Sequence, residues 1–201
     1  MPEFSRSTTT TLLLESLHDP LNQEAWSALD HRMRPIIHGV ALRLGVSTED
    51  AADVAQETMT NFLRSYRSGQ YVRGKGRLRD WMCGIARNRV MDLHRSRSRR
   101  REAAVDVGDI ARIEESGVRQ LWNEEERKTI LEQSMQELRE KSRMSERTIR
   151  AFEMVLLGVP DREVADQCGM TVPEVYVAKH RVATKLRQIV AELTAAYDQE
   201  G

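Results

Sequence analysis

Residues 161–190 read DREVADQCGMTVPEVYVAKHRVATKLRQIV, and their pattern decides the fold of the C-terminal half. Val164, Ala165 and Cys168 fall on one side of a short helix, with Asp161 as its expected N-cap. Gly169 supplies the positive φ that a tight turn between two helices needs. Thr171 and Glu174 have the spacing of a capping box, and Pro173 falls in the first turn, where its missing amide hydrogen costs nothing. Small Ala165 before the turn and branched Val175 after it suit two helices crossing at close range. Val182, Leu186, Ile189, Val190 and Leu193 carry the apolar stripe onward, which leaves Tyr176, Lys179, His180, Arg181, Lys185 and Arg187 outside. The pattern is a helix-turn-helix, a unit that reads a DNA groove or serves only as structure. His180 has no Ser, Cys or carboxylate beside it and reads as a phosphate- or solvent-facing group. Tyr176 is compatible with packing as well.

The rest of the chain, read outward from this segment, gives helices and no strands. Ser145 is placed to cap a helix carrying Ile149, Phe152, Met154, Val155 and Leu156, closed by Gly158 and Pro160. From Asn123 to Lys141, Ile130, Leu131, Met135 and Leu138 mark a helical stripe, whereas 102–122 mixes small, acidic and glycine residues like a tether. Asp80 is the expected cap of a helix starting at Trp81 that buries Trp81, Met82, Ile85, Ala86, Val90 and Leu93. Gly69, Gly74 and Gly76 make 68–79 a loop. A helix over 48–66, with Ser47 and Asp50 as its capping pair, places Ala51, Ala55, Met59, Phe62, Leu63 and Tyr66 on one stripe. Its other side carries Asp53, Gln56, Glu57 and Asn61. A further amphipathic helix runs from Asn22 to Leu44 through Pro35. The fold class is all-α: no period-two alternation is sustained anywhere.

Charge separates these elements. The chain has 31 basic and 31 acidic residues, so its formal net charge is zero. Yet Arg64 to Arg101, RSYRSGQYVRGKGRLRDWMCGIARNRVMDLHRSRSRRR, holds thirteen Lys or Arg against Asp80 and Asp92, about +11. Tyr66, Tyr71 and Trp81 are interleaved with those cations, which suits a polyphosphate backbone and its bases; a solvated basic face is the plainer alternative.

Several classes are excluded or disfavoured. No run of 18 apolar residues is present to span a bilayer. The first residues, MPEFSRSTTTTLLLESL, lack a secretory pattern, so a cytoplasmic protein is expected. Cys83 and Cys168 lie in apolar helical patterns and read as buried free thiols. No glycine loop followed by Lys and Ser or Thr is present, so nucleotide hydrolysis is not implied, nor is any cofactor or metal. Asp53, Glu57, Asp92 and His94 scatter over different helical faces and do not form a catalytic set.

Three segments in this order resemble the bacterial RNA polymerase sigma factors, specifically the short extracytoplasmic-function group. DVAQETMTNFLRSY (Asp53 to Tyr66) is similar to the family's core-binding helix, and the basic helix beginning RLRDWMCGIARNRVMD at Arg77 to its reader of the -10 element. DREVADQCGMTVPEVYVAKHRVATKLR is similar to the reader of the -35 element. The resemblance spans about 20–195. It implies two helical domains: a flexible N-terminus over 1–20, a region 2-like domain over 21–101, a linker over 102–125 and a region 4-like domain over 126–201. It implies core-polymerase binding by Asp53, Gln56, Glu57 and Phe62. Tyr71, Arg73 and Lys75 would lie in the loop that captures an unstacked base, with Arg87, Asn88, Asp92 and Arg95 on the neighbouring helix. Val172, Glu174, Tyr176, Val177, Lys179, His180 and Arg181 would face the -35 groove. The implied partners are core RNA polymerase, through its β′ clamp coiled coil and β flap, and promoter DNA, with an anti-sigma factor left open.

The chain departs from the family pattern at Val172 and Pro173, where polar or basic side chains are common. Readout there is either apolar contact with thymine methyls or weak, leaving specificity to Tyr176, His180 and DNA shape. The alternative reading is a one-component regulator that binds a palindromic duplex as a dimer and needs no polymerase.

Overall fold

The computed structural model describes residues 10–19, 21–71, 77–100 and 115–198. Among these there are eight helices and no strand: α1 Thr10–Ser16, α2 Gln23–Arg43, α3 Thr48–Arg67, α4 Leu78–Arg100, α5 Glu115–Lys141, α6 Glu146–Leu156, α7 Asp161–Cys168 and α8 Val172–Asp198. The chain divides into two compact units, Met1–Thr129 with Ala196–Gly201, and Ile130–Ala195.

In the first unit α2, α3 and α4 pack together by their apolar stripes. Asn22 caps α2 by accepting from the Ala25 amide at 3.0 Å, and α2 continues through the exposed Pro35. Leu29, Ile36, Ile37 and Val40 from α2, Ala51, Val54, Met59 and Phe62 from α3, and Leu78, Met82, Ala86 and Val90 from α4 have no exposed surface. Each large member contributes about 1.5–3 kcal/mol by leaving water. Ser47 caps α3 through the Asp50 amide at 3.2 Å, as its spacing predicts. His94 is buried and donates to the Leu44 carbonyl at 3.1 Å, which ties α4 to the end of α2. That bond gives the imidazole a structural task. Cys83 is buried as expected, and burial pushes its thiol up to about 12.

Three sequence expectations are revised in this unit. The helix predicted to start at Trp81 starts at Leu78, so Asp80 lies inside its first turn and pairs with Arg119 at 3.4 Å instead of capping. Residues 10–17, expected to be flexible, include a helix with Leu13, Leu14 and Leu17 buried. The segment expected to tether the domains contributes the start of α5, and the first unit extends to Thr129. Val118 and Trp122 are buried there, ringed by pairs from Arg43 to Glu124 and from Arg79 to Asn123. Glu125 comes so close to Gly39 that no Cβ fits at that position while the carboxylate stays in place.

In the second unit Ser145 caps α6 through the Thr148 amide at 3.3 Å. Ala151, Val164, Ala165, Cys168, Val175 and Ala178 form the buried cluster of the helix-turn-helix, with Met154, Val155, Val159, Met170 and Val172 partly buried against it. Gly169 has φ 61°, the left-handed conformation that its position in the turn requires. Leu131, expected on the apolar stripe of α5, is exposed; Ser134 takes the buried place, its hydroxyl donating to the Ile130 carbonyl at 2.7 Å.

Candidate nucleic-acid interface

In the first unit the outward side of α4 carries Arg87, Asn88, Asp92 and Arg95, which line a shallow open groove with Met91. All four residues expected there from the sequence are thus on one face. Asp92 and Arg95 pair at 3.6 Å across one turn, both largely exposed. Other cations of α4 serve the fold: Arg89 donates to Glu57 at 2.7 Å, and Arg97 pairs with Asp50. The Asp50 carboxyl is held below its ordinary value, first by the Ser47 hydroxyl and then by Arg97.

Tyr71 stacks on Trp81, ring centroids 5.1 Å apart and 13° between planes. Both rings are partly exposed, so Trp81 is not the core residue its helical register suggests. Arg73 and Lys75 lie outside the described residues.

The candidate polymerase face is on α3. Asp53, Gln56 and Asn61 are exposed, and Glu57 is partly so because it serves Arg89. Phe62 does not belong to this face. It has no exposed surface, and its ring meets Tyr66 at 5.7 Å and Trp81 at 5.8 Å. The apolar period of α3 turns it inward, so it can influence a partner only through the packing of its neighbours.

In the second unit, α8 follows the turn with its capping box closed. Glu174 accepts from the Thr171 amide at 2.7 Å and hydroxyl at 3.0 Å, and the Thr171 hydroxyl accepts from the Glu174 amide at 3.4 Å. These bonds, the Thr171 amide first, hold the Glu174 carboxyl below the usual carboxylate range. Glu174 is therefore committed to the helix start, and Val172 is partly buried against the helix-turn-helix core. Of the residues expected in the groove, Val172 is thus partly buried, and Glu174, though exposed, is held by the cap. Tyr176, Val177, Lys179, His180 and Arg181 are exposed, Val177 at 56%.

Asp161 does not cap α7. The cap position is Pro160, with no side-chain bond, and the Asp161 carboxylate instead lies near the Tyr176 phenol and raises its pKa. Sequence reasoning also passed over Arg147. Its guanidinium donates to the Gly169 carbonyl at 3.1 Å, and with Thr148 it lines a groove shared with Met170, Pro173, Val177 and Arg181. The signal was present: a basic residue two places after the Ser145 cap, where helix amides face outward.

Comparison with known proteins follows the same division. Residues 29–100 match the Sigma-70 region 2 family model, which takes in α3 and α4. Over 191 residues the chain is 25% identical to the ECF RNA polymerase sigma factor SigE of Mycolicibacterium smegmatis, covering 94% of this chain and 71% of that protein. No solved structure matches the chain. With a region 2 match across the acidic and basic helices, a likeness extending through both units and an all-α fold, the chain is similar to the RNA polymerase sigma factors of the extracytoplasmic-function group.

Proposed function

We propose that this chain is an RNA polymerase sigma factor, a dissociable specificity subunit with no catalytic chemistry of its own, acting in the cytoplasm on core polymerase and promoter DNA. Asp53, Gln56 and Asn61 of α3 would hold the β′ clamp coiled coil, with Glu57 at the edge of that contact. The exposed Leu156 and Leu157 at the end of α6 offer an apolar seat for the β flap. Arg87, Asn88, Asp92 and Arg95 would face the -10 element, and Tyr71 an unstacked base of its non-template strand. Tyr176, Val177, Lys179, His180 and Arg181 would face the -35 groove. There Val177 suits a thymine methyl, and the cations suit phosphates and acceptor edges of bases.

Melting would draw on binding energy alone. Extruding a base costs a few kcal/mol, and stacking on an aromatic side chain returns about 1–3 kcal/mol per base. The observation that supports this reading most is the presence of an outward cationic helical face in each of two separately packed units, α4 in one and α8 in the other.

Transcription by purified core polymerase from random-promoter templates tests it. We expect transcripts that start downstream of a shared two-part motif and that require both components. Tight binding of a symmetric duplex by the chain alone as a dimer, with no stimulation of polymerase, would support the regulator reading instead.

A further inference from the structure

One side chain joins the N-terminal helix to the aromatic pair beside the -10 face. Tyr66, in the last turn of α3, is 8% exposed. Its hydroxyl donates to the Leu14 carbonyl at 2.6 Å and lies 3.1 Å from His18 Nε2. A phenol has one proton. With that proton on the carbonyl, the imidazole is the donor to the phenol oxygen. Leu14 is in the final turn of α1, and its carbonyl also accepts from the Leu17 amide at 3.0 Å, so the Tyr66 hydroxyl is a second donor to the end of α1 while α1 fixes the ring.

The fixed ring is the first step of a ladder. His18 lies 5.1 Å from Tyr66, Tyr66 lies 6.0 Å from Tyr71, and Tyr71 is stacked on Trp81. Phe62 closes the base of the ladder with an edge-on contact to Trp81 at 76°. The buried leucines of α1 hold its end of this arrangement to the core.

We infer that α1 is a positioning element for base capture: His18 and Tyr66 hold Tyr71 against Trp81 at the angle where an unpaired non-template base stacks on it. The inference rests on the proposed role of Tyr71. It adds two residues that touch no DNA and a segment that the sequence marks only as a terminus. The physical gain is preorganisation. A side chain ordered before binding loses less freedom on binding, worth a factor of roughly two to ten in affinity.

The test uses holoenzyme assembled from full-length chain and core polymerase. The probe is a fork-junction DNA bearing the promoter found by random-template selection, with 2-aminopurine in the unpaired non-template segment. Tyr66→Phe keeps every ring and removes the hydroxyl. We expect it to weaken fork binding and the fluorescence change by roughly three- to tenfold, leaving affinity for core polymerase and for a -35 duplex unchanged. His18→Ala should act in the same direction, and it carries the test if Tyr66→Phe fails to fold. In a Tyr71→Ala background neither change should cause further loss, because residues acting through one another are not additive. Full-strength fork binding by both single variants overturns the inference, as does a loss that persists in the Tyr71→Ala background. Failure of the underlying reading looks different: selection yields no promoter, or Tyr71→Ala itself binds the fork normally.

Discussion

Helices α4 and α8 both turn cations outward, but they commit their charge differently. On α4, Arg89 and Arg97 are tied to Glu57 and Asp50 of α3, so the helix that would face DNA is fastened to the helix that would face polymerase. On α8, Lys179, His180 and Arg181 form no ion pair among the described residues. That helix is set by backbone caps, a left-handed glycine and an apolar plug instead. Where orientation comes from caps and packing, surface cations remain available to a polyanion; where it comes from ion pairs, part of the basic count is internal.

The largest test of this contrast is Val175→Asp, which buries an unpaired charge at the plug and should cost about 4 kcal/mol or more. Circular dichroism should then lose the melting transition of the second unit and keep that of the first. An unaltered transition would refute the packing that orients α8. Thr171→Ala removes the cap and should cost about 1 kcal/mol, read as a lower melting temperature of the same unit.

Acid probes the other half of that cap. The folded Glu174 carboxyl is depressed, so its stabilisation is present above the ordinary glutamate value and lost as pH falls through the lower folded one. Glu174→Gln should flatten that acid dependence in a pH series of melts.

On α4, Arg97→Ala should lower the stability of the first unit by about 1 kcal/mol, since the pair with Asp50 is partly exposed and screened by solvent. It should leave the salt dependence of promoter binding unchanged. Lys179→Ala should do the reverse, reducing the slope of log affinity against log salt by about 1 with no change in melting. Equal slopes for the two variants would end the distinction between the helices.

What the sequence disclosed follows the range of each interaction. Ser47, Ser145 and the Thr171–Glu174 pair were legible because capping acts across three residues, and Gly169 because only one turn conformation fits its place. Asp80 and Asp161 have the same local appearance, yet their carboxylates serve Arg119 and Tyr176, partners that no short spacing reveals. Phe62 shows period and resemblance in conflict: the apolar stripe of α3 required it inside, and burial prevails. That Arg87, Asn88, Asp92 and Arg95 share one face of α4 was legible from one helical register. The packing of Val172 against the helix-turn-helix core was not legible, because it depends on contacts across the turn. The N-terminal helix escaped notice because three leucines in a short segment carry too little periodicity, and their value is tertiary.

The burial of Val118 and Trp122 bears on where this protein can be cut. A fragment ended at the last arginine of the basic helix, the boundary its motifs suggest, would lack an indole and a valine from its own interior and bare the apolar surface they cover. Carried on to Thr129, the same fragment keeps that lid and bares less apolar surface than the shorter one.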